Sequence, residues 1–150
     1  TAELPMISLN ETPPEKYMLH DGDIVFVRSN GNKALVGRCL IVYPHDIPTT
    51  YSGFCIRFRN KSDDVLTDYL LRYLKADSIR LKMAGRGANI QNLNQQILAS
   101  LQVPLPPKEL QRRYIDFVNQ TNKSKSELKQ AIESISSLIK SLMQQEFSNQ

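Results

Sequence analysis

The first 60 residues show the hydrophobic pattern of β-strands. Residues 24–27 are an uninterrupted apolar run with β-branched side chains, which is typical of a buried strand. Residues 35–43 predict a second strand, and residues 53–59 predict a third. In the third strand apolar side chains alternate with cysteine and arginine, so one face of a sheet would be apolar and the other polar. This part of the chain therefore predicts a mainly β domain.

Two polar segments flank the first strand. Residues 21–23 (Asp-Gly-Asp) precede it, and a turn accounts for both carboxylates without a paired-acid site. Residues 29–32 follow it, and Asn30-Gly31 can supply the positive φ of a tight hairpin. We therefore expect a turn at residues 29–32 between the first two strands.

Apolar residues change to helical spacing after residue 62. The pattern predicts one helix over residues 63–83, with Asp63 or Asp64 as its N-cap and residues 85–87 (Gly-Arg-Gly) at its end. A short helix is also expected around residues 94–100. These helices would pack on the strands and complete the first domain.

A proline-rich segment, residues 103–107, predicts a rigid hinge before a final helix. No glycine or proline follows residue 107, so the remainder should be one helix, ~60 Å long if ~40 residues are helical. The spacing of a coiled-coil seam recurs within it at Leu128, Ile132, Ile135, Ile139 and Leu142. Such a seam needs a second long helix, and we expect one from another chain. Packing of the helix back onto its own domain is the alternative.

Composition and charge restrict the class of protein. The 150 residues carry a net charge of +4, and 41% of them are hydrophobic, which is too many for a disordered tail. The apolar runs are far shorter than the ~20 residues of a membrane span, and no secretory signal is visible. Two cysteines make neither a disulfide framework nor a zinc site. The cytoplasm is therefore the expected compartment.

The positive charge is concentrated in one part of the chain. Residues 28–61 hold six basic residues against Asp46 alone, a local net charge of +5, whereas residues 1–27 have a net charge of −4. A basic block of this kind favours a polyanionic partner. A solvated basic surface is the alternative.

The residues that could carry catalysis form no recognisable constellation. His20 and His45 lie in no metal-ligand spacing, and Cys39 and Cys55 lie in strand-like runs, where a free cysteine behaves as a small apolar residue. Phosphate-binding, dinucleotide-binding and nucleophile-elbow motifs are absent from the sequence. We therefore expect no cofactor or metal, and a self-contained nuclease or methyltransferase is not supported.

Two segments resemble nucleic-acid contacts. In residues 28–33, Arg28 can contact guanine, the asparagines can contact adenine, and Lys33 can meet phosphate. In residues 82–89, two glycines around Arg86 allow a close approach of backbone to ligand. An ordinary hairpin turn and a helix C-cap, respectively, are the alternatives.

Taken together, these residues resemble the specificity subunits of type I restriction-modification systems. Residues 21–32 (DGDIVFVRSNGN) and 35–38 (LVGR) are similar to the central block of a target recognition domain in that family. Residues 89–90, the segment 103–107 (VPLPP) and Gln111 resemble its junction into a long conserved helix. The resemblance covers residues 17 to 147, nearly the whole chain.

The resemblance implies an architecture. Specificity subunits usually hold two target recognition domains, each reading part of a split DNA site, and two long antiparallel helices keep them apart. Here there is one of each, which resembles a half-subunit that restores the usual architecture as a homodimer and reads a palindromic split site. The segment before Gly22 is short for the family, and Lys108 stands where the family often has an apolar residue.

The resulting hypothesis is a non-catalytic DNA-recognition subunit of α+β fold. Residues 1–104 would be the mainly β target recognition domain, and residues 105–150 the helix that pairs in an antiparallel coiled coil. Its partners would be double-stranded DNA, the adenine-N6 methyltransferase subunit, a restriction subunit and a second copy, with no membrane. A coiled-coil protein–protein adaptor without DNA specificity is the alternative. The residues expected to contact DNA are Arg28, Ser29, Asn30, Asn32, Lys33, Arg57, Arg59, Lys82, Arg86 and Asn89.

Overall fold

The computed structural model describes residues 6–84 and 92–148, with side chains to residue 145 in the last helix. The chain divides into two compact units, Thr1–Leu105 and Pro106–Gln150. The second unit contains the long helix α4 (Lys108–Ser148). The first unit contains β1 (Asp23–Val27), β2 (Cys39–Val42), β3 (Cys55–Phe58), α1 (Thr67–Lys75), α2 (Asp77–Ala84) and α3 (Gln95–Ala99).

The three strands of the first unit's described residues form one antiparallel sheet in the order β2-β1-β3. The central strand β1 pairs with both neighbours, so that Val25 lies opposite Leu40 in β2 and Arg57 in β3. Ile24 and Phe26 are fully buried, as the apolar run predicts. The fold class is therefore α+β, as the sequence predicts, but the sheet is smaller than the predicted mainly β domain implies.

The core of the first unit lies between the sheet and the short helices. The amphipathic helix α1 buries Tyr69, Leu70, Leu71 and Leu74, and it packs against β2. Burial of these side chains favours the helix because apolar surface leaves water. The buried cluster consists of Ile24, Phe26, Val36, Cys39, Leu70, Leu71, Leu74, Ile79, Met83 and Leu93.

The connection between β1 and β2 differs from the predicted turn. A short 3₁₀ turn (Lys33–Leu35) replaces the start of the predicted second strand, and β2 begins only at Cys39. The Asn32 side chain accepts a hydrogen bond from the Ala34 N–H and caps this turn. Gly31 does not adopt a positive φ; the conformation that favours glycine is found at Gly37 (φ +80). The prediction of a tight Asn-Gly hairpin is therefore wrong.

The third strand is shorter than predicted at both ends. The observed strand β3 spans Cys55–Phe58, and Phe54, which was expected on the apolar face, is exposed. The Ser52 hydroxyl accepts a hydrogen bond from the Phe54 N–H, and the Ser52 carbonyl accepts one from the Cys55 N–H. The Phe54 carbonyl still accepts a hydrogen bond from the Arg28 N–H, but the Phe54 side chain does not join the apolar face of the sheet.

The single helix predicted over residues 63–83 is two helices. The first begins after Leu66, which makes no side-chain cap, so neither Asp63 nor Asp64 is the N-cap. Asn60 instead fixes the entry, because its side-chain amide donates to the Val65 carbonyl (2.8 Å). Extended backbone at Ala76 separates α1 from α2.

The remaining two helices agree with the sequence. The Asn94 side chain accepts a hydrogen bond from the Ile97 N–H (2.9 Å) and caps α3. The Pro107 carbonyl accepts from the N–H groups of Leu110 and Gln111 at the start of α4. The long helix predicted after residue 107 is confirmed.

Candidate nucleic-acid interface

The first candidate segment lies in a loop that is closed at its base. The Val27 N–H donates to the Arg38 carbonyl, and the Gly37 N–H donates to the Val27 carbonyl, both at 2.9 Å. We call residues 28–36, between these bonds, the readout loop. These bonds extend the β1–β2 ladder, so the loop projects from the hydrogen-bonded ends of these two strands.

Two asparagines shape the readout loop from within. The Asn30 side-chain oxygen accepts from the Asn32 N–H (2.8 Å), and the Asn32 side-chain oxygen accepts from the Ala34 N–H (3.0 Å). Arg28 and Lys33 are exposed, as are both asparagines, whereas Ser29 is half-buried. The asparagine oxygens thus already make bonds within the loop. The sequence pattern did not predict this structural role.

Hydrogen bonds join the readout loop to segments that are distant in the sequence. The Arg28 N–H donates to the Phe54 carbonyl, and the Arg28 carbonyl accepts from the Leu93 N–H, both at 2.8 Å. The Arg80 guanidinium donates through Nη2 to the Ala34 carbonyl (3.0 Å). Arg80 and Leu93 lie on either side of the second candidate segment in the sequence. The residues next to that segment therefore contact the readout loop.

The residues of the second candidate segment are only partly described. Lys82 lies on α2 and is exposed. Arg86 and Asn89 lie outside the described residues, as does the glycine pair around Arg86. The predictions for these two residues therefore remain predictions.

Arg57 and Arg59 are engaged within the fold. Arg59 donates through Nε to one Asp23 oxygen (2.7 Å) and through Nη2 to the other (2.8 Å). The His20 N–H also donates to this carboxylate (2.8 Å), whose side chain is only 1% exposed. Arg57 donates through Nη1 to the Met18 carbonyl (3.0 Å). The sequence pattern missed this cluster because Asp23 resembled a turn residue.

The Asp23 cluster has a defined ionisation state. Burial raises the pKa of the Asp23 carboxyl, but the hydrogen bonds from Arg59 and the His20 N–H, with the charges of Arg59 and Arg57, outweigh burial and lower it. The hydrogen bond to Asp23 raises the pKa of Arg59 in turn. Asp23 therefore neutralises Arg59, and we expect Arg59 to attract phosphate less than an unpaired arginine would.

The groups that could support catalysis are dispersed. His20 contacts Glu15 (2.7 Å), and His45 contacts Asp21 (3.1 Å), both at the surface. Burial raises the pKa of the Cys39 thiol to about 11, although the charges of Lys75 and Arg80 oppose it. Among the residues that the structure describes, no three His, Cys, Asp or Glu side chains cluster as metal ligands. Within residues 6–84 and 92–148, no helix is long and apolar enough to cross a membrane.

The predicted seam lies on α4. From residue 119 to 145 every side chain of this helix is exposed. Salt bridges between Lys123 and Glu127 and between Lys129 and Glu133 lie on the same helix. The five seam residues Leu128, Ile132, Ile135, Ile139 and Leu142 are between 52% and 63% exposed.

The described residues thus combine an exposed basic loop on a small α+β domain with a long helix that follows it in the chain. Residues 10–135 match the family model of the type I restriction modification DNA specificity domain. The chain belongs to this family. The family resemblance predicted from the sequence is confirmed.

Two relatives from distant organisms support the assignment. The chain is 30% identical to the type I restriction enzyme EcoEI specificity subunit of Escherichia coli over 129 residues, covering 83% of this chain and 22% of that protein. It is 27% identical over 136 residues to a Methanocaldococcus jannaschii protein described as the type I restriction enzyme MjaX specificity subunit, covering 88% and 32% respectively. The chain thus spans about a fifth to a third of the length of these relatives.

Proposed function

We propose that this chain reads one half of a split DNA site and holds the adenine-N6 methyltransferase subunits of a type I restriction-modification system. The observation that carries the proposal is the readout loop, whose exposed Arg28 and Lys33 stand on a hydrogen-bonded base. A rigid support favours recognition because less conformational entropy is lost when DNA binds. Membership of the specificity-domain family supports the same conclusion.

The loop geometry suggests how the contacts divide. Arg28 is the strongest candidate for base reading, since arginine can donate two parallel hydrogen bonds to guanine. Asn30 and Asn32 would present their amide N–H groups while their oxygens hold the loop. Lys33 and Lys82 would meet phosphates, and Arg86 and Asn89 would add contacts from the second segment. Ser29, Arg57 and Arg59 would line or support this surface.

The long helix would provide assembly. Its exposed stripe of five seam residues needs an apolar surface to cover it, and a second copy of α4 in antiparallel orientation supplies one. The resulting dimer would read two identical half-sites and offer its helices to the methyltransferase and restriction subunits. We propose residues 1–104 as the recognition domain and residues 105–150 as the assembly helix, with no catalytic group of their own.

The proposal is tested by mapping methylation. The chain would be co-expressed with the methyltransferase subunit encoded beside it, and methylated adenines in the host DNA would be located by single-molecule sequencing. We expect a palindromic split motif. Arg28→Ala should abolish or alter the motif, whereas Lys61→Ala, an equal loss of charge at an exposed site outside the loop, should preserve it.

The alternative function makes a different prediction. A coiled-coil adaptor would capture the methyltransferase subunit and yet produce no sequence motif, because its basic loop would be solvated surface. If the purified complex bound all duplex sequences equally well, that result would favour the adaptor function and contradict the proposed one.

A further inference from the structure

A second basic site lies at the base of the readout loop. Five residues, Gly37, Arg38, Cys39, Lys75 and Arg80, line a cavity of about 320 Å³. Three of the five are cationic, and they come from three different segments of the first unit: the loop base, the end of α1 and the middle of α2. None of the three was among the DNA contacts predicted from the sequence, because Arg38 is 37 positions from Lys75 in the chain.

These three cations have no anionic partner in the described structure. The ion pairs within residues 6–84 and 92–148 leave Arg38, Lys75 and Arg80 without a carboxylate. Three positive charges around one cavity give it a positive potential that attracts anions, and water and salt screen Arg38 and Lys75, which are exposed. The site is therefore complementary to a negatively charged ligand.

Arg80 gives the cavity a fixed donor group. Its Nη2 donates to the Ala34 carbonyl, which holds the guanidinium against the readout loop. Its Nε is buried and makes no hydrogen bond with any described residue. A buried donor without an acceptor is unfavourable, so the Arg80 guanidinium has unused hydrogen-bonding capacity beside the cavity. The charges of Lys75 and Arg80 also act together on the Cys39 thiol, where both lower its pKa against the effect of burial.

We propose that this cavity binds phosphoryl oxygens, and that in the DNA complex its ligand is a backbone phosphate beside the bases that the readout loop contacts. The inference rests on the proposed function for the source of the phosphate, but not for the anion site itself. Arginine suits the ligand because its planar donors match phosphate geometry, and lysine adds a mobile point charge. Gly37 and Arg38 close the loop, so one phosphate here would fix the register of the loop on the duplex.

The first test measures salt dependence with the chain in complex with its methyltransferase subunit. Arg38→Gln/Lys75→Gln is compared with Lys61→Gln/Lys140→Gln, which removes two charges at exposed sites outside the cavity. Both pairs avoid Arg80, whose loss would also release Ala34. On a duplex with the mapped motif, the slope of log Kobs against log[salt] should become shallower by ~0.9 in the first pair alone, with the base preference retained. Equal slopes in the first pair and the unaltered complex would overturn the proposal.

The second test uses no DNA. Inorganic phosphate is titrated into the ¹⁵N-labelled chain, and saturable amide shifts at Gly37 and Cys39 are expected that vanish in Arg38→Gln/Lys75→Gln. Saturable amide shifts together with an unchanged slope of log Kobs against log[salt] would assign the cavity to a free phosphate compound. That result would overturn the proposal that its ligand is a DNA phosphate. Loss of the methyltransferase subunit from the double variant with an unchanged slope would assign the cluster to a protein partner instead. If the complex had no DNA preference, the proposed function would fail while the phosphate titration still decided the anion site.

Discussion

A cluster of apolar residues is buried in the first unit, whereas the apolar seam residues are exposed on the helix α4. In the first unit, Ile24, Phe26 and Leu93 are at most 1% exposed, and they belong to a cluster of ten buried residues, none more than 9% exposed. On α4, the seam residues expose more than half of their surface. The first unit gains the free energy of apolar burial from its own core, whereas the seam residues of α4 leave most of their surface in water.

The same contrast holds for charge. Asp23 and Arg59 form a bidentate pair whose carboxylate is buried, with Asp23 1% and Arg59 30% exposed, and backbone groups complete it. The lysine–glutamate pairs of α4 lie in solvent, where such pairs contribute little because water and salt screen them. Stability of the first unit thus depends on its own contacts, whereas association through the proposed seam would stabilise the distal part of α4.

The largest expected effect is the loss of association through the seam. Ile135→Asp places a charge where the proposed dimer excludes water, and it does so once in each copy. We expect a loss of ~4 kcal/mol per dimer, about a thousandfold rise in the dissociation constant. Sedimentation equilibrium measures this directly, and urea unfolding of the first unit should not change.

Ser137→Asp provides the matched control for this substitution. It adds the same charge to the same helix two residues away and off the seam spacing. A dimer that tolerates Ile135→Asp as well as Ser137→Asp would refute the seam and leave the contrast between the two regions without its explanation.

The second effect concerns the buried ion pair. Asp23→Asn keeps the size of the side chain but leaves the Arg59 charge without its counterion. Because one-sided removal of a buried pair is costly, we expect the free energy of unfolding to fall by ~3 kcal/mol. Urea denaturation monitored by circular dichroism would measure it, with Asp63→Asn, at an exposed site, as the near-neutral control.

The pH dependence provides a separate test of the same pair. The folded-state pKa of Asp23 is lowered, so its contribution is complete above the unfolded pKa of ~3.9 and is lost as pH falls through the folded pKa. Stability should therefore decline below about pH 4 in the natural sequence more steeply than in Asp23→Asn. Parallel acid curves for the two proteins would contradict the assignment.

The sequence predicted the two regions unequally well. The long helix was predictable because the absence of glycine and proline and the apolar spacing are local signals, and α4 begins where residue 107 indicated. The Asp23–Arg59 pair was not, because it joins residues 36 positions apart. Likewise, Arg38, Lys75 and Arg80 meet only after the chain has folded. Local pattern predicts elements, but it cannot assign partners between them.

The third effect arises from the thiol of Cys39. Its folded-state pKa is about 11, above the ordinary value of 9.0, so the unfolded chain loses this proton first as pH rises. The sign is therefore destabilising: stability is complete below pH 9.0 and falls by roughly 2 kcal/mol as pH approaches the folded pKa. Urea unfolding between pH 8 and 11 should show this slope in the natural sequence and a smaller one in Cys39→Ala. Identical slopes would mean that Cys39 is not buried as described.

The smallest effect separates two glycines of the connection between β1 and β2. Gly37 has a φ of +80, whereas Gly31 does not have a positive φ, and nothing lies within 4 Å of a Cβ built there. Gly37→Ala should therefore destabilise the first unit by about 1 kcal/mol through backbone strain alone, since an added Cβ would meet only the Met83 methyl carbon at 3.9 Å. Gly31→Ala should change the free energy of unfolding by less than ~0.5 kcal/mol. If Gly31→Ala were the more damaging variant in urea denaturation, the tight Asn-Gly hairpin predicted from the sequence would be right, and the readout loop would need a different base.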